Sequence, residues 1–551
     1  MTRLTPSLCT AFLCAALLAS TPARAGEPTP LAHVTGGRPG EALGTSVAAA
    51  TDLDRDGFAD VIVGSRDAEL VRVYSGLFLA HGEGPPLLVE LEARADRVNE
   101  DFFGQSVASI GDLDGDGFSE IAIGAPLADE GGPGSGAVYV HSGRTFARLA
   151  TVLGHGREFG ATVCGPGDLD GDGIPDLAVA APVDVDHPRY RAGQVRVYSG
   201  RDLLGSPPEP LFSFQGVGAY DLLGFSLCGA GDVDGDGHAD LLAGAPEYDP
   251  ISPATLTVGY ARVISGRTGG ILATLSTGLV GRFGYSTAGM GDWNGDGFDD
   301  VAVGAPHATG SAGADCGRIF IYSGASLRPG QPPTILRMFE GEHPGEVLGR
   351  TIARGGDLDG DGRADLLATG LDGSGASFVR VISGRNGEIL AHTLSRGTDS
   401  GFAAFAHSIA FAGDVDGDAI DDLVVGSPGD SSTGFLVGSL TVFSGSPTLS
   451  LLMPENVIAG TSLDLDYEGA DPQGEVLLLF GAAPLDQDLP FCNQTLGLRN
   501  PRLVARSYPR ASGQGSIPMM IPQQRRGQTV FLQMFQRRGC RVSNRVALDI
   551  R

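Results

Sequence analysis

One nine-residue acidic stretch recurs seven times along this 551-residue chain, and it limits the possible folds more than any other feature. Asp112-Leu113-Asp114-Gly115-Asp116-Gly117-Phe118-Ser119-Glu120 shows the form, and it runs directly into the apolar stretch Ile121-Ala122-Ile123-Gly124-Ala125-Pro126. First aspartates fall at Asp52, Asp112, Asp168, Asp232, Asp292, Asp357 and Asp414, spaced 60, 56, 64, 60, 65 and 57 residues apart. That period is too long for a solenoid rung and suits a four-stranded blade.

The strand pattern agrees. In the second repeat, FFGQSVASIGD alternates into a first strand, EIAIGAP follows the loop as a buried second strand, GAVYVHSG reads as a third and RLATVLGHG as an outer fourth. The other repeats keep this order, no helical period of useful length appears, and 85 glycines speak for many tight turns. The expected fold is therefore all-β: a seven-bladed β-propeller over 26–446, followed by a small β-sandwich-like domain over 447–551. LAHVTGGRPGEALG (31–44) has the form of a fourth strand before an opening, so the N-terminal strand is expected to complete the seventh blade. The alternative closing strand is SPTLSLL at 446–452.

Alternate carboxylates converge when a chain wraps around a hard cation. A glycine at position six allows the sharp turn, the position-seven carbonyl adds an oxygen, and the acid at nine closes the shell. All donors are oxygen, which suits calcium better than a transition metal. The candidate ligands in the first repeat are Asp52, Asp54, Asp56, Phe58 through its carbonyl, and Asp60; in the second they are Asp112, Asp114, Asp116, Phe118 and Glu120. The third offers Asp168, Asp170, Asp172, Ile174 and Asp176, and the fourth Asp232, Asp234, Asp236, His238 and Asp240. The fifth offers Asp292, Asn294, Asp296, Phe298 and Asp300, and the sixth Asp357, Asp359, Asp361, Arg363 and Asp365. The seventh offers Asp414, Asp416, Asp418, Ile420 and Asp422. Up to seven structural calcium ions follow. An EF-hand is excluded because position twelve is Ile123, inside a strand, rather than glutamate. The sites are expected to differ: Asn294 lowers the charge, Glu120 has a longer arm, and Ala419 replaces the turn glycine, making the seventh the weakest.

Charge supports this reading. The chain carries a formal −28, and positions one, three, five and nine of the seven loops hold 27 acidic residues. So acidic a chain is a poor candidate for nucleic acid or anionic membranes. MTRLTPSLCTAFLCAALLASTPARA reads as a secretory signal ending near Ala25, and no later run is long enough to span a bilayer. A secreted or periplasmic location is expected. Cys492 and Cys540, both in the last hundred residues, are expected to form a disulfide, which export permits, while Cys164, Cys228 and Cys316 are read as free thiols.

The openings (FGQSV, FGATV, FGYST), the GAP endings and the acidic loops resemble the FG-GAP repeat, as in the propeller of integrin α subunits. The resemblance covers roughly 31–446 and implies calcium in the loops between the first and second strands of each blade. It also places ligand recognition on the opposite face. The chain departs from the family in carrying seven acidic loops and no recognisable downstream integrin domains or anchor, so receptor function is not carried over.

No enzyme motif appears: GxSxG, HExxH and Walker loops are absent from 26–551, residues 447–551 contain no histidine, and His141, His155 and His307 share no register. A non-enzymatic binding or adhesion module for an extracellular glycan or protein is expected. The alternatives are a polysaccharide- or lipid-acting enzyme with a composite site, or a surface-assembly component. Long second-to-third-strand connections in repeats three to five mark Tyr190, Tyr248, Tyr260 and His307 as candidate ligand contacts.

Overall fold

The computed structural model describes residues 30–445 apart from 83, 85, 94–99, 155, 184–189, 206–207, 248–257, 359–362, 373, 395–404, 417–419 and 432–434, and beyond 449 the strand backbones alone. Within 30–445 the chain forms seven four-stranded antiparallel sheets, each built from consecutive strands except at the closure. Blade 1 comprises Leu43–Ala49, Val61–Ser65, Leu70–Tyr74 and Leu87–Glu92. Blades 2 to 6 span 106–153, 162–215, 226–275, 286–340 and 352–394. Blade 7 takes Ser408–Gly413, Asp422–Ser427 and Ser439–Phe443, and its fourth strand is Pro30–Thr35, which pairs antiparallel with Ser439–Phe443. Ser450–Leu451 pairs instead with Ser462–Glu468.

Burial explains the strand compositions. Second strands such as Val61–Ser65 and Asp176–Ala181 are buried throughout, whereas fourth strands such as Phe212–Gln215 alternate intermediate and exposed residues at the rim. The apolar clusters lie between neighbouring blades: Val138, Val140 and Phe159 pack with Leu177, Val179 and Tyr198. Each blade thus supplies half of two interfaces, so the ring is one continuous core.

The opening motif has a specific mechanical role. Ser46, Ser106, Ser226, Ser286 and Ser408 each donate a hydroxyl to the opening glycine carbonyl of the next blade, at 2.7–3.0 Å. In blades 3 and 6 threonines hold this place, with Thr162 donating to the Phe225 carbonyl at 3.4 Å and Thr351 to the His407 carbonyl at 3.3 Å. Ser408 donates to Gly44, so these bonds run around the whole ring. The GAP glycine is needed at the same junction: a Cβ on Gly124 would lie 2.0 Å from the Gly160 carbonyl oxygen.

Beyond 449 the strands also pair antiparallel, with Val476–Gly481 between Arg502–Ser507 and Thr529–Gln536, and Ser462–Glu468 against Gly515–Met520. No described helix is long and apolar enough to cross a membrane.

Candidate metal centres and the opposite face

Each acidic loop joins the first strand of a blade to the second, so all seven lie at one end of the ring. The loops fold by carboxylate capping of their own backbone. In blade 2 the Gly115 and Asp116 amides donate to Asp112 Oδ1 at 2.7 and 3.1 Å, and the Gly117 amide donates to Asp112 Oδ2 at 2.9 Å. Asp114 Oδ1 accepts from the Asp116 amide and Asp116 Oδ1 from the Phe118 amide. The loops beginning at Asp168, Asp232 and Asp292 repeat the first-aspartate bonds at 2.7–3.1 Å. Gly117 stands at φ +85°, where a Cβ would meet only the end of the Arg55 side chain at 3.4 Å, so glycine is required there by backbone conformation.

Position nine does two jobs. One oxygen of Asp60 accepts the Leu53 amide at 2.7 Å and the other accepts the Gly76 amide at 2.9 Å, tying the loop to the end of the third strand. The same pair of bonds recurs at Asp176, Asp240, Asp300, Asp365 and Asp422. The glycines involved are those of the recurrent third-strand ending Ser-Gly, which explains that ending. Position-two residues are buried as the anchor beneath the loop: Leu53, Leu113, Leu169, Val233, Trp293, Leu358 and Val415.

In five loops the ligand oxygens of positions one, three and nine lie within 4.8 Å of one another: Asp52/Asp54/Asp60, Asp112/Asp114/Glu120, Asp168/Asp170/Asp176, Asp232/Asp234/Asp240 and Asp414/Asp416/Asp422. In the first four of these loops position five stands outside the group. Asp172 pairs with Arg201 at 2.7 Å, while Asp56 and Asp296 accept hydroxyls from Ser75 and Ser323 at 3.1 and 3.4 Å. In the fifth loop Asn294 donates its amide to Asp296 Oδ2 at 2.9 Å, which leaves its buried Oδ1 without a protein partner. Asp359, Asp361 and Asp418 lie outside the described residues.

Burial pushes the carboxyls of Asp60, Glu120 and Asp240 up to about 7, and those of Asp176 and Asp300 up to about 6. Amide bonds oppose the shift, and neighbouring carboxylates such as Asp54 and Asp56 add to it. Three converging oxygens that repel one another fit a hard divalent cation, which would neutralise them and use the spare Asn294 oxygen.

Neighbouring loops also touch, a feature missed in the sequence. Position seven reaches back to the preceding loop: His238 Nδ1 lies 3.0 Å from the Leu169 carbonyl, Arg363 donates to the Trp293 carbonyl at 3.1 Å, and Arg55 stacks over Phe118 at 4.2 Å. At position eight, Asp299 accepts the Asp232 amide at 2.8 Å, so a fifth-loop side chain holds the first aspartate of the fourth. Aromatic or long residues at position seven were the available signal. Arg55 adopts φ +62° at position four, where the other six loops carry glycine.

The second-to-third-strand connections lie at the other end of the ring. Tyr190 is 46% exposed and meets Tyr220 edge-on at 5.5 Å. Tyr260 donates its hydroxyl to Asp221 at 2.7 Å, so it supports the neighbouring connection as well as facing this end. His307 is half-buried, 3.2 Å from Asp315 Oδ1. Tyr248 lies outside the described residues, as do Cys492 and Cys540. Cys164, Cys228 and Cys316 are free thiols.

Fold and loops together define a seven-bladed propeller whose first-to-second-strand loops are carboxylate clusters. The chain carries FG-GAP repeats: the model described as "FG-GAP repeat" matches 43–74, 103–141, 159–198, 223–261 and 283–322. Its propeller resembles that of integrin α subunits. It is 30% identical over 253 residues to integrin alpha-5 of Xenopus laevis, covering 42% of this chain and 22% of that protein. It is 32% identical over 228 residues to integrin alpha-PS2 of Drosophila melanogaster (39% and 15%), and 32% over 218 residues to integrin alpha-V of Gallus gallus (37% and 20%). The chain thus spans less than a quarter of the length of these relatives. A solved structure titled "Structure of Dos1 propeller" aligns at 12% identity and a TM-score of 0.40, over 73% of this chain and 77% of that one.

Proposed function

We propose that this protein is an exported, calcium-stabilised propeller that acts as a binding or adhesion module for an extracellular glycan or protein. Residues 1–25 serve as the export signal, 26–446 form the propeller, and 447–551 form a separate β-sandwich-like domain stapled by Cys492–Cys540. The acidic loops bind calcium, and the opposite end recognises the ligand. Likeness to integrin α propellers supports a non-catalytic role.

The observation that carries the reading is the contrast between the two ends. The loop end concentrates carboxylates in the five clusters described above. The opposite end exposes apolar side chains on several separate connections: Tyr190, Val217, Leu279, Val280, Phe435 and Leu436. Exposed apolar side chains on the variable connections of a rigid scaffold are suited to recognition.

Binding of the purified chain to arrayed polysaccharides and matrix proteins, in calcium and then in chelator, tests it. Saturable binding that is lost in chelator and weakened by Tyr190→Ser is the expected outcome. Retention of all binding in Tyr190→Ser and Phe435→Ser would remove this face from the account, and turnover of a bound glycan would replace adhesion with catalysis.

A further inference from the structure

The recognition end contains a cationic pocket that the repeat itself does not require. Arg282, Tyr285, Pro306, His307, Val347 and Arg350 line an open concavity of about 280 Å³ between blades 5 and 6. Arg282 and Tyr285 flank the Phe283-Gly284 opening of blade 5, Arg350 follows the Gly349 opening of blade 6, and His307 comes from the second-to-third-strand connection of blade 5. Positions equivalent to Tyr285 and Arg350 elsewhere hold Thr45, Gln105, Ala161, Phe225 and His407, so the fold leaves this position free to vary.

The pocket's charge is set by its geometry. Arg282 Nη1 lies 3.4 Å from His307 Nε2, while His307 Nδ1 faces Asp315 Oδ1 at 3.2 Å. Burial, and then the Arg282 guanidinium, hold the imidazole below its usual range; Asp315 opposes this and Arg350 adds a smaller push in the same direction as Arg282. Two guanidiniums thus line one concavity in a chain of formal charge −28, with the Asp315 carboxylate beside His307. Beside it the Tyr285 ring lies 4.8 Å from Phe225, which is 37% exposed, giving an aromatic wall that continues onto blade 4.

We propose that this pocket binds a uronic acid unit of an extracellular polysaccharide, its carboxylate on Arg282 and Arg350 and the C–H face of its sugar ring against Tyr285 and Phe225. A planar carboxylate matches the guanidinium fork, and charge-assisted pairs of this kind are the stronger hydrogen bonds. An acidic peptide would use the cations and leave the aromatic wall unused, which is why the sugar is favoured. The proposal rests on the reading of this end as the recognition surface.

The test is calorimetric titration of the calcium-loaded full chain with a short glucuronate-containing oligosaccharide, the same oligosaccharide with its carboxyls reduced to alcohols, and an oligoglutamate. Binding of the first, weakened about tenfold or more by carboxyl reduction and by Arg350→Gln, is expected. Arg350→Lys should fall between, because it keeps the charge and loses the fork. Unchanged melting of each variant certifies its fold. Failure of the glucuronate oligosaccharide to bind, equal binding of its reduced form, an unaffected Arg350→Gln, or binding of oligoglutamate alone would each overturn the proposal. The two readings separate cleanly: a neutral glycan or protein that binds and is lost in Tyr190→Ser keeps the recognition face while removing the uronate pocket.

Discussion

The two ends of the propeller obey different rules. At the loop end, one hydrogen-bond pattern is repeated: a first aspartate caps amides four to six, and a ninth acid ties position two to the third-strand glycine. At the opposite end repetition is only partial. Glu41, Asp221 and Glu346 each accept the amides three and four residues before them, and Glu41 and Glu346 pair with Arg72 and Arg380, but Asp221 takes the Tyr260 hydroxyl instead, and Glu340 takes Ser311 and Arg318. Repetition fixes a scaffold, and variation on that scaffold leaves room for specificity.

The largest effect that could break this contrast comes from position nine. Asp240→Ala would strand the buried Val233 and Gly266 amides, now bonded at 2.9 and 3.0 Å, and remove a carboxylate from the fourth cluster. A loss of about 2–4 kcal/mol is expected by urea unfolding in chelator, because each orphaned buried donor costs about 1–3 kcal/mol. At the opposite end, Tyr190→Ser should stay within about 0.5 kcal/mol, as exposed positions do. Equal costs would erase the distinction between scaffold and recognition surface.

Calcium removal comes next. A site filled at 100 times its dissociation constant stabilises by about 2.7 kcal/mol, so chelator should lower the melting temperature by several degrees in calorimetry. Gly117→Ala should cost about 1 kcal/mol, since φ +85° is closed to most side chains, and should weaken one site without affecting ligand binding. Asp299→Ala sharpens the comparison within the loop end. It removes the acceptor of the Asp232 amide and should weaken one calcium site a few-fold while stoichiometry is unchanged, about 1 kcal/mol for one bond. An unchanged isotherm would mean that the loops act independently.

The smallest effect is at the opposite end. Ser311 bonding, and then Arg318, hold Glu340 down to about 2 from an ordinary 4.5. Its folded value is depressed, so its contribution is fully present above pH 4.5 and is lost as pH falls towards 2. Ser311→Ala should therefore lose less stability on acidification through that window than the parent chain, as measured by denaturant midpoint against pH.

The sequence was legible where the physics repeats. Seven aligned aspartate loops gave the blade count and the carboxylate clusters, and alternation gave the strands. Position five was weighted equally with one and three, yet Arg201, Ser75 and Ser323 engage it from the chain just beyond the third strand, an arrangement with no linear signature. The contacts of His238, Asp299 and Arg363 with preceding loops link residues about 70 apart and become visible only once blades are side by side. Arg282, Tyr285 and Arg350 were hidden for the opposite reason: they occupy the variable places of a repeated motif, where attention falls on the constant ones.

The most direct test of the central claim is the number of calcium ions bound per chain, measured by equilibrium dialysis with metal analysis. The account predicts five to seven, one for each clustered loop and up to one for each repeat, with magnesium failing to replace them. A value of zero or one would contradict it and leave the aspartate loops as self-capped turns.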